Sequence, residues 1–213
     1  MRFKVCLILT LLFSFCNLNF IQAKSFSNSN ILDSISYKMS NESNFIEKGV
    51  KVTYKSALKK EEEIKRVKKI LEKKNNKEIV VSNDVINIWT GFGNVRANFY
   101  SKNNVTIVDF AIIENNKNYS ILKLMKELTK LQGKNVYDIR YFQYIKEKIN
   151  NINDTLVEIN KLPEIKNIDT LDIHNGYVGE GKFNNGERVN IALNNYDTGN
   201  YLIIGTPVIF TTW

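Results

Sequence analysis

The chain switches between two hydrophobic periods, and the switches outline its elements. Val50, Val52 and Tyr54 alternate with Lys51, Thr53 and Lys55, the period of a half-buried strand. A helix over Leu58–Lys74 follows, with Leu58, Ile64, Val67, Ile70 and Leu71 on one face and charged side chains on the other. From Glu78 to Glu114 the period returns to two. Strands are predicted over Glu78–Val81, Val85–Trp89, Val95–Tyr100 and Val105–Ile113, parted by Asn/Gly-rich turns at Thr90–Asn94 and Lys102–Asn104. A second helix spans Ser120–Gln132, aligns Ile121, Leu124, Met125, Leu128 and Leu131, and stops at Gly133.

Val136–Ile145 reads as a strand. Ile145, Ile149, Ile152, Leu156 and Ile159 fall at 4-3-4-3 spacing, which also fits one long helix. The preferred reading is a strand to Lys148, then a short helix begun by Asn153 or Asp154 and ended before Pro163. Strands over Thr170–His174, Tyr177–Phe183, Arg188–Asn195 and Tyr201–Ile209 follow, with Asn185-Gly186 and Asp197–Asn200 as hairpin turns. The order strand, helix, strands therefore occurs twice. Ile86–Phe92 matches Leu171–Tyr177 at a spacing of 85, and Val105-Thr106-Ile107 matches Val189-Asn190-Ile191 at 84. An internal duplication is expected from these matches.

The N-terminus follows neither period. Arg2 and Lys4 precede an apolar run from Val5 to Phe15, and a polar-leaning stretch ends at Ala23. That is the layout of a cleavable secretory signal over 1–23; the apolar run is short for a membrane span, which needs about 20 residues, and the alternative is an uncleaved membrane anchor. Residues 24–48 read as a flexible lead with a short helix carrying Ile31, Leu32, Ile35 and Met39. The two repeats are placed at 49–134 and 135–213.

Cleavage after Ala23 removes Cys6 and Cys16, so the mature chain has no thiol and no disulfide. Of 213 residues, 43% are hydrophobic, enough for an ordinary core. Loss of Arg2 and Lys4 leaves 28 basic side chains against 22 acidic, a net charge of +6. With one His and no retained Cys, most metal and Cys/His schemes lack their residues; no cofactor and no metal site is expected.

His174 reads as a strand or turn residue, and Glu61, Glu62 and Glu63 as acids that suit a helix start. Asp169 and Asp172 flank a strand and are the carboxylates a wall hydrolase would need. Glu61–Lys65 and Glu62–Arg66 have the favourable i,i+4 order. The mature arginines are Arg66, Arg96, Arg140 and Arg188, few for base reading by bidentate contacts.

The C-terminal stretch carries a resemblance. Val189-Asn190-Ile191-Ala192-Leu193, followed by Tyr201-Leu202-Ile203-Ile204-Gly205-Thr206-Pro207-Val208-Ile209, resembles the closing motif of the YwmB family, secreted proteins of sporulating low-GC Gram-positive bacteria. The signal, the strand–helix opening near Val50–Lys74 and the turn at Asn175-Gly176 extend the likeness along the chain. The tail Phe210-Thr211-Thr212-Trp213 departs from the acidic-Tyr ending usual in that family.

The resemblance implies an α+β fold: duplicated repeats similar to the TATA-box-binding protein, forming a curved antiparallel sheet with helices packed on one face. Fold does not import function. Phe92 and Tyr177 would take equivalent turn positions, as wedges do in minor-groove binders. The expected function is a non-catalytic envelope module that binds an anionic wall polymer or an envelope protein. Trp89, Phe92, Arg96 and Tyr177 are its candidate binding residues. Gly205, Thr206 and Pro207 are a backbone motif suited to a strand end or edge. A nucleic-acid binder ranks second, because an exported protein rarely meets duplex DNA, and a carboxylate-dependent wall hydrolase third.

Overall fold

The computed structural model describes residues 27–39, 43–75 and 79–210. The expected signal over 1–23 and its two cysteines lie outside the described residues, as does the tail from Thr211.

Among the described residues, ten strands form one antiparallel sheet and four helices accompany it. The strands are β1 (Ser43–Ser56), β2 (Val81–Ser82), β3 (Val85–Thr90), β4 (Gly93–Lys102), β5 (Val105–Glu114), β6 (Val136–Ile149), β7 (Ile165–Ile173), β8 (Gly176–Phe183), β9 (Arg188–Tyr196) and β10 (Gly199–Thr206). Their order across the sheet is β2-β3-β4-β5-β1-β6-β10-β9-β8-β7. The helices are α1 (27–39), α2 (Lys60–Asn75), α3 (Ile121–Leu131) and α4 (Ile152–Asn160).

Alternation decides which side is covered. Val50, Val52 and Tyr54 of β1 are buried and stand beside Ile112, Phe110 and Val108 of β5. Val50 and Val52 also face Gln143 and Tyr141 of β6. Every helix reaches that same side. Ser29 and Ser36 of α1 donate to Gln143 Oε1 (2.8 Å) and Glu147 Oε1 (2.6 Å). Glu63 of α2 accepts from Tyr54, Gln132 beyond α3 from Tyr141, and Asn153 of α4 from Tyr177.

Local chemistry explains the element ends. Ser120 caps α3 by accepting from the Lys123 N–H, and Asn151 caps α4 by accepting from Asn153 and Asp154. The cap of α4 therefore lies two positions before the predicted Asn153, and the chain leaves the helix ahead of Pro163. Tight hairpins use Asn83-Asp84 and Asn103-Asn104, all four with positive φ between 50° and 61°, as a two-residue turn of primed type requires.

The structure departs from the expectations in several places. The short helix expected within 24–48 is α1, which buries Leu32, Ile35 and Met39, whereas β1 begins at Ser43 rather than near Val50. Of the strand expected over Glu78–Val81, residues 79–80 are not in a strand and Val81 begins β2, Glu78 lying outside the described residues; the last strand ends at Thr206, not Ile209. The sequence matches do not fall on equivalent strands. Val105–Ile107 lies on β5, next to central β1, whereas Val189–Ile191 lies on β9, with β10 between it and central β6. The 49–134 and 135–213 segments meet along β1 and β6 in one continuous sheet.

Candidate binding face

One side of the sheet carries no helix among the described residues, and it displays the side chains that alternate with the core. Trp89 sits opposite Asn94, and Asn87 opposite Arg96, so Trp89 and Arg96 are diagonal neighbours on this open side. Trp89 is 71% exposed. Lys51, Thr53 and Lys55 continue the side across β1, then Arg140 and Phe142 on β6 and Arg188 on β9. Three of the four arginines among the described residues are thus displayed here.

Phe92 and Tyr177 go to the other side. Phe92 occupies the turn between β3 and β4, packs against the core and lies under Lys74 of α2, with Nζ 5.2 Å from the ring centre. Tyr177 is the second residue of β8, not a turn residue, and pairs with Leu193 on the helix-covered side. For Tyr177 parity is the reason: a one-residue step along a strand moves a side chain to the opposite face. The candidate set therefore divides into Trp89 with Arg96 on the open face, and Phe92 and Tyr177 beneath helices.

Gly205-Thr206-Pro207 ends β10 and returns the chain across the open face. Thr206 Oγ1 donates to the Arg188 carbonyl at 2.7 Å, and the Asn190 amide donates to the Pro207 carbonyl. A Cβ at Gly205 would lie 2.9 Å from Ile209 Cγ1, so any side chain there would push Ile209 aside. The return brings Phe210 edge-on to Tyr144, with ring centres 4.9 Å apart. Phe210, Lys51, Arg96 and Asp109 then border a hollow of about 260 Å³.

Charges on this face are partly matched. Lys51 lies 3.3 Å from Asp109, and Arg188 lies 3.4 Å from Glu180. Asp138 is held by Lys55 at 2.8 Å and by Arg140 at 3.4 Å. The Lys55 hydrogen bond, helped by both cationic charges, holds its carboxyl below the usual aspartate value. Beside it a hollow of about 500 Å³ is lined by Lys55, Tyr100, Lys102 and Arg140. A second, of about 530 Å³, has Tyr196, Tyr201 and Lys146 in its wall. Lys51 and Lys55 were legible as the polar half of an alternating strand; Arg140, Tyr100 and Lys102 become neighbours only through strand pairing.

The helix-covered side holds a different cluster. Glu63 is fully buried and accepts from Arg66 Nε (2.9 Å) and Nη2 (2.6 Å), Tyr54 Oη (2.9 Å) and Ser56 Oγ (3.2 Å). Arg66 also donates to the Leu131 carbonyl, tying α2 to the end of α3. The expected Glu62–Arg66 pair is replaced by this inward one. Burial raises the Tyr54 hydroxyl well above its ordinary value, and the Glu63 charge adds to it. Such a satisfied cluster locks elements together and leaves no lone pair for a ligand.

The carboxylates and the histidine do not converge. Asp169 faces Glu180 and Asp172 faces Tyr177, so the two aspartates point to opposite sides of β7. His174 is exposed in the turn before β8. Among the described residues no three His, Cys, Asp or Glu side chains gather as metal ligands, and no helix is long and apolar enough to cross a membrane.

Sheet, helices and open face define an α+β protein with one display surface. Neither a protein-family model nor a curated protein matches the chain.

Proposed function

We propose that the protein is a secreted, non-catalytic binding module of the cell envelope whose open sheet face holds an anionic wall polymer. The observation that carries this is the helix-free face with Arg96, Arg140, Arg188, Lys51 and Trp89 displayed on it. Arginine guanidinium groups suit phosphate and carboxylate, and an exposed indole adds a stacking surface. Export rests on the N-terminal signal pattern, and the net charge of +6 after its removal supports attraction to polyanions.

The same proposal reads the chain as two copies of one strand–helix–strands unit, with the curvature of a TATA-box-binding-protein-like sheet. Its support is the strand order: β1, β5, β4, β3, β2 run outward on one side, and β6, β10, β9, β8, β7 on the other. Each half opens with a central strand followed by a helix.

Co-sedimentation with purified cell-wall sacculi tests the binding. Native sacculi are compared with sacculi stripped of anionic polymer, across a salt series and with duplex DNA as competitor. Salt-sensitive binding lost on stripping is the expected result. Retention on neither preparation sinks the wall reading and turns the search to an envelope protein; displacement by DNA below stoichiometric polymer favours the nucleic-acid reading.

A further inference from the structure

Opposite Thr53 and Lys55, β6 slips out of regular register, and Asp138 takes a left-handed backbone with φ 50°. The irregularity sets its carboxylate between Lys55 and Arg140 at one edge of the 500 Å³ hollow. Lys102 stands at the rim of the same hollow and joins no ion pair among the described residues. Three cations thus border the hollow, and one carboxylate pairs with two of them. Tyr100, 42% exposed, forms a wall beside them.

We propose that this hollow is an anion subsite for one phosphodiester group of a polyanion, and that Asp138 is the counter-ion the phosphate displaces. The proposal takes its polymer from the wall reading, but its anion from local geometry. Arg140 is 68% exposed at its side chain, so its planar fork is free to turn from Asp138 toward a phosphate and donate through two N–H groups. Lys102 supplies the second contact, while Asp138 keeps Lys55. A single free anion competes poorly with a carboxylate already in place. A chain of linked phosphates competes well, because neighbouring contacts raise its effective concentration. Asp138 therefore selects polymer over free phosphate.

The test is calorimetric titration at low salt with a glycerol phosphate oligomer and, separately, inorganic phosphate. Asn tolerates the left-handed backbone as Asp does, so Asp138→Asn keeps the irregular turn while removing the competing charge. Expected are about tenfold tighter oligomer binding for Asp138→Asn and about tenfold weaker binding for Arg140→Gln. Lys126→Gln, an exposed lysine on α3 on the helix-covered side, should stay within about twofold. Thermal melts of each variant show that the fold is kept.

Asp138→Asn binding no tighter than wild type, or Arg140→Gln binding unchanged, overturns the subsite. Inorganic phosphate bound as tightly as the oligomer overturns the selection for polymer. A duplex DNA fragment bound tighter than the oligomer, with the same response to both variants, overturns the wall phosphodiester in favour of nucleic acid. Failure to sediment with sacculi, with the two variants still behaving as expected, removes the wall reading and leaves the subsite standing.

Discussion

The ring of Tyr144 occupies the space that a side chain at Gly49 would need. A Cβ built on Gly49 would lie 2.1 Å from Tyr144 Cε1, and the two residues face each other across β1 and β6. The ring is held there by its hydroxyl, which donates to Glu47 Oε1 at 2.7 Å, and by Phe210 edge-on at 4.9 Å. An aromatic laid over a strand glycine covers backbone at the centre of an otherwise open face. Gly49→Ala is expected to expel the ring and destabilise the protein by about 1–3 kcal/mol. Urea unfolding measures this, and a variant as stable as wild type would show that the ring has another seat.

Glu63 makes stability depend on acid pH. Burial pushes its carboxyl upward, but Arg66, Tyr54 and Ser56 together hold it below the ordinary 4.5. A group lowered in the fold adds stability above its unfolded value and loses it as pH falls through the folded value. Glu63→Gln is expected to cost about 3 kcal/mol at neutral pH, since it leaves Arg66 without its charge partner. The gap between wild type and variant should narrow once pH drops below 4.5. Denaturant melts from pH 7 to pH 3 check this; a constant gap would remove Glu63 as the source.

Asp33 connects three elements. Its carboxylate accepts from the Ile121 N–H at 3.0 Å, at the start of α3, and stands 3.6 Å from Lys48 Nζ of β1. Lys48 is only 4% exposed, and burial lowers its pKa despite Asp33. Asp33→Ala is expected to destabilise by about 2–3 kcal/mol, combining a lost helix cap with an uncompensated buried ammonium. Lys48→Met removes a charge that is costly to bury and should be near neutral. In the Lys48→Met background, Asp33→Ala should cost less than in wild type. Equal cost in both backgrounds would show that the pair is not coupled.

Trp89 and Phe92, three positions apart, should behave as opposites. Trp89→Ala is expected to change unfolding free energy by less than about 0.5 kcal/mol, because the ring stands in water. Phe92→Ala should cost about 1–2 kcal/mol through lost packing under α2. Sacculus binding should fall for Trp89→Ala and persist for folded Phe92→Ala. The reverse pattern would place the binding surface on the helix side.

Local sequence determined most of the elements. Period-two alternation marks β1, β3, β4, β5, β8 and β9, the 3.6-residue stripe marks α2 and α3, and Asn-rich pairs mark the hairpins. These signals act between residues a few positions apart, so a linear reading captures them. The tertiary structure decided the rest. Phe92 and Tyr177 carry the same aromatic character as Trp89, yet the turn at Phe92, the parity of β8 at Tyr177 and the helices' choice of side half-bury them. Glu63 has the sequence appearance of an exposed helix-start acid, and becomes buried only because Tyr54 and Arg66 converge on it. The hollow at Asp138 needs β1, β4, β5 and β6 in register before Lys55, Lys102 and Arg140 meet. Each depends on contacts between residues far apart in the chain, whose energies no local period encodes.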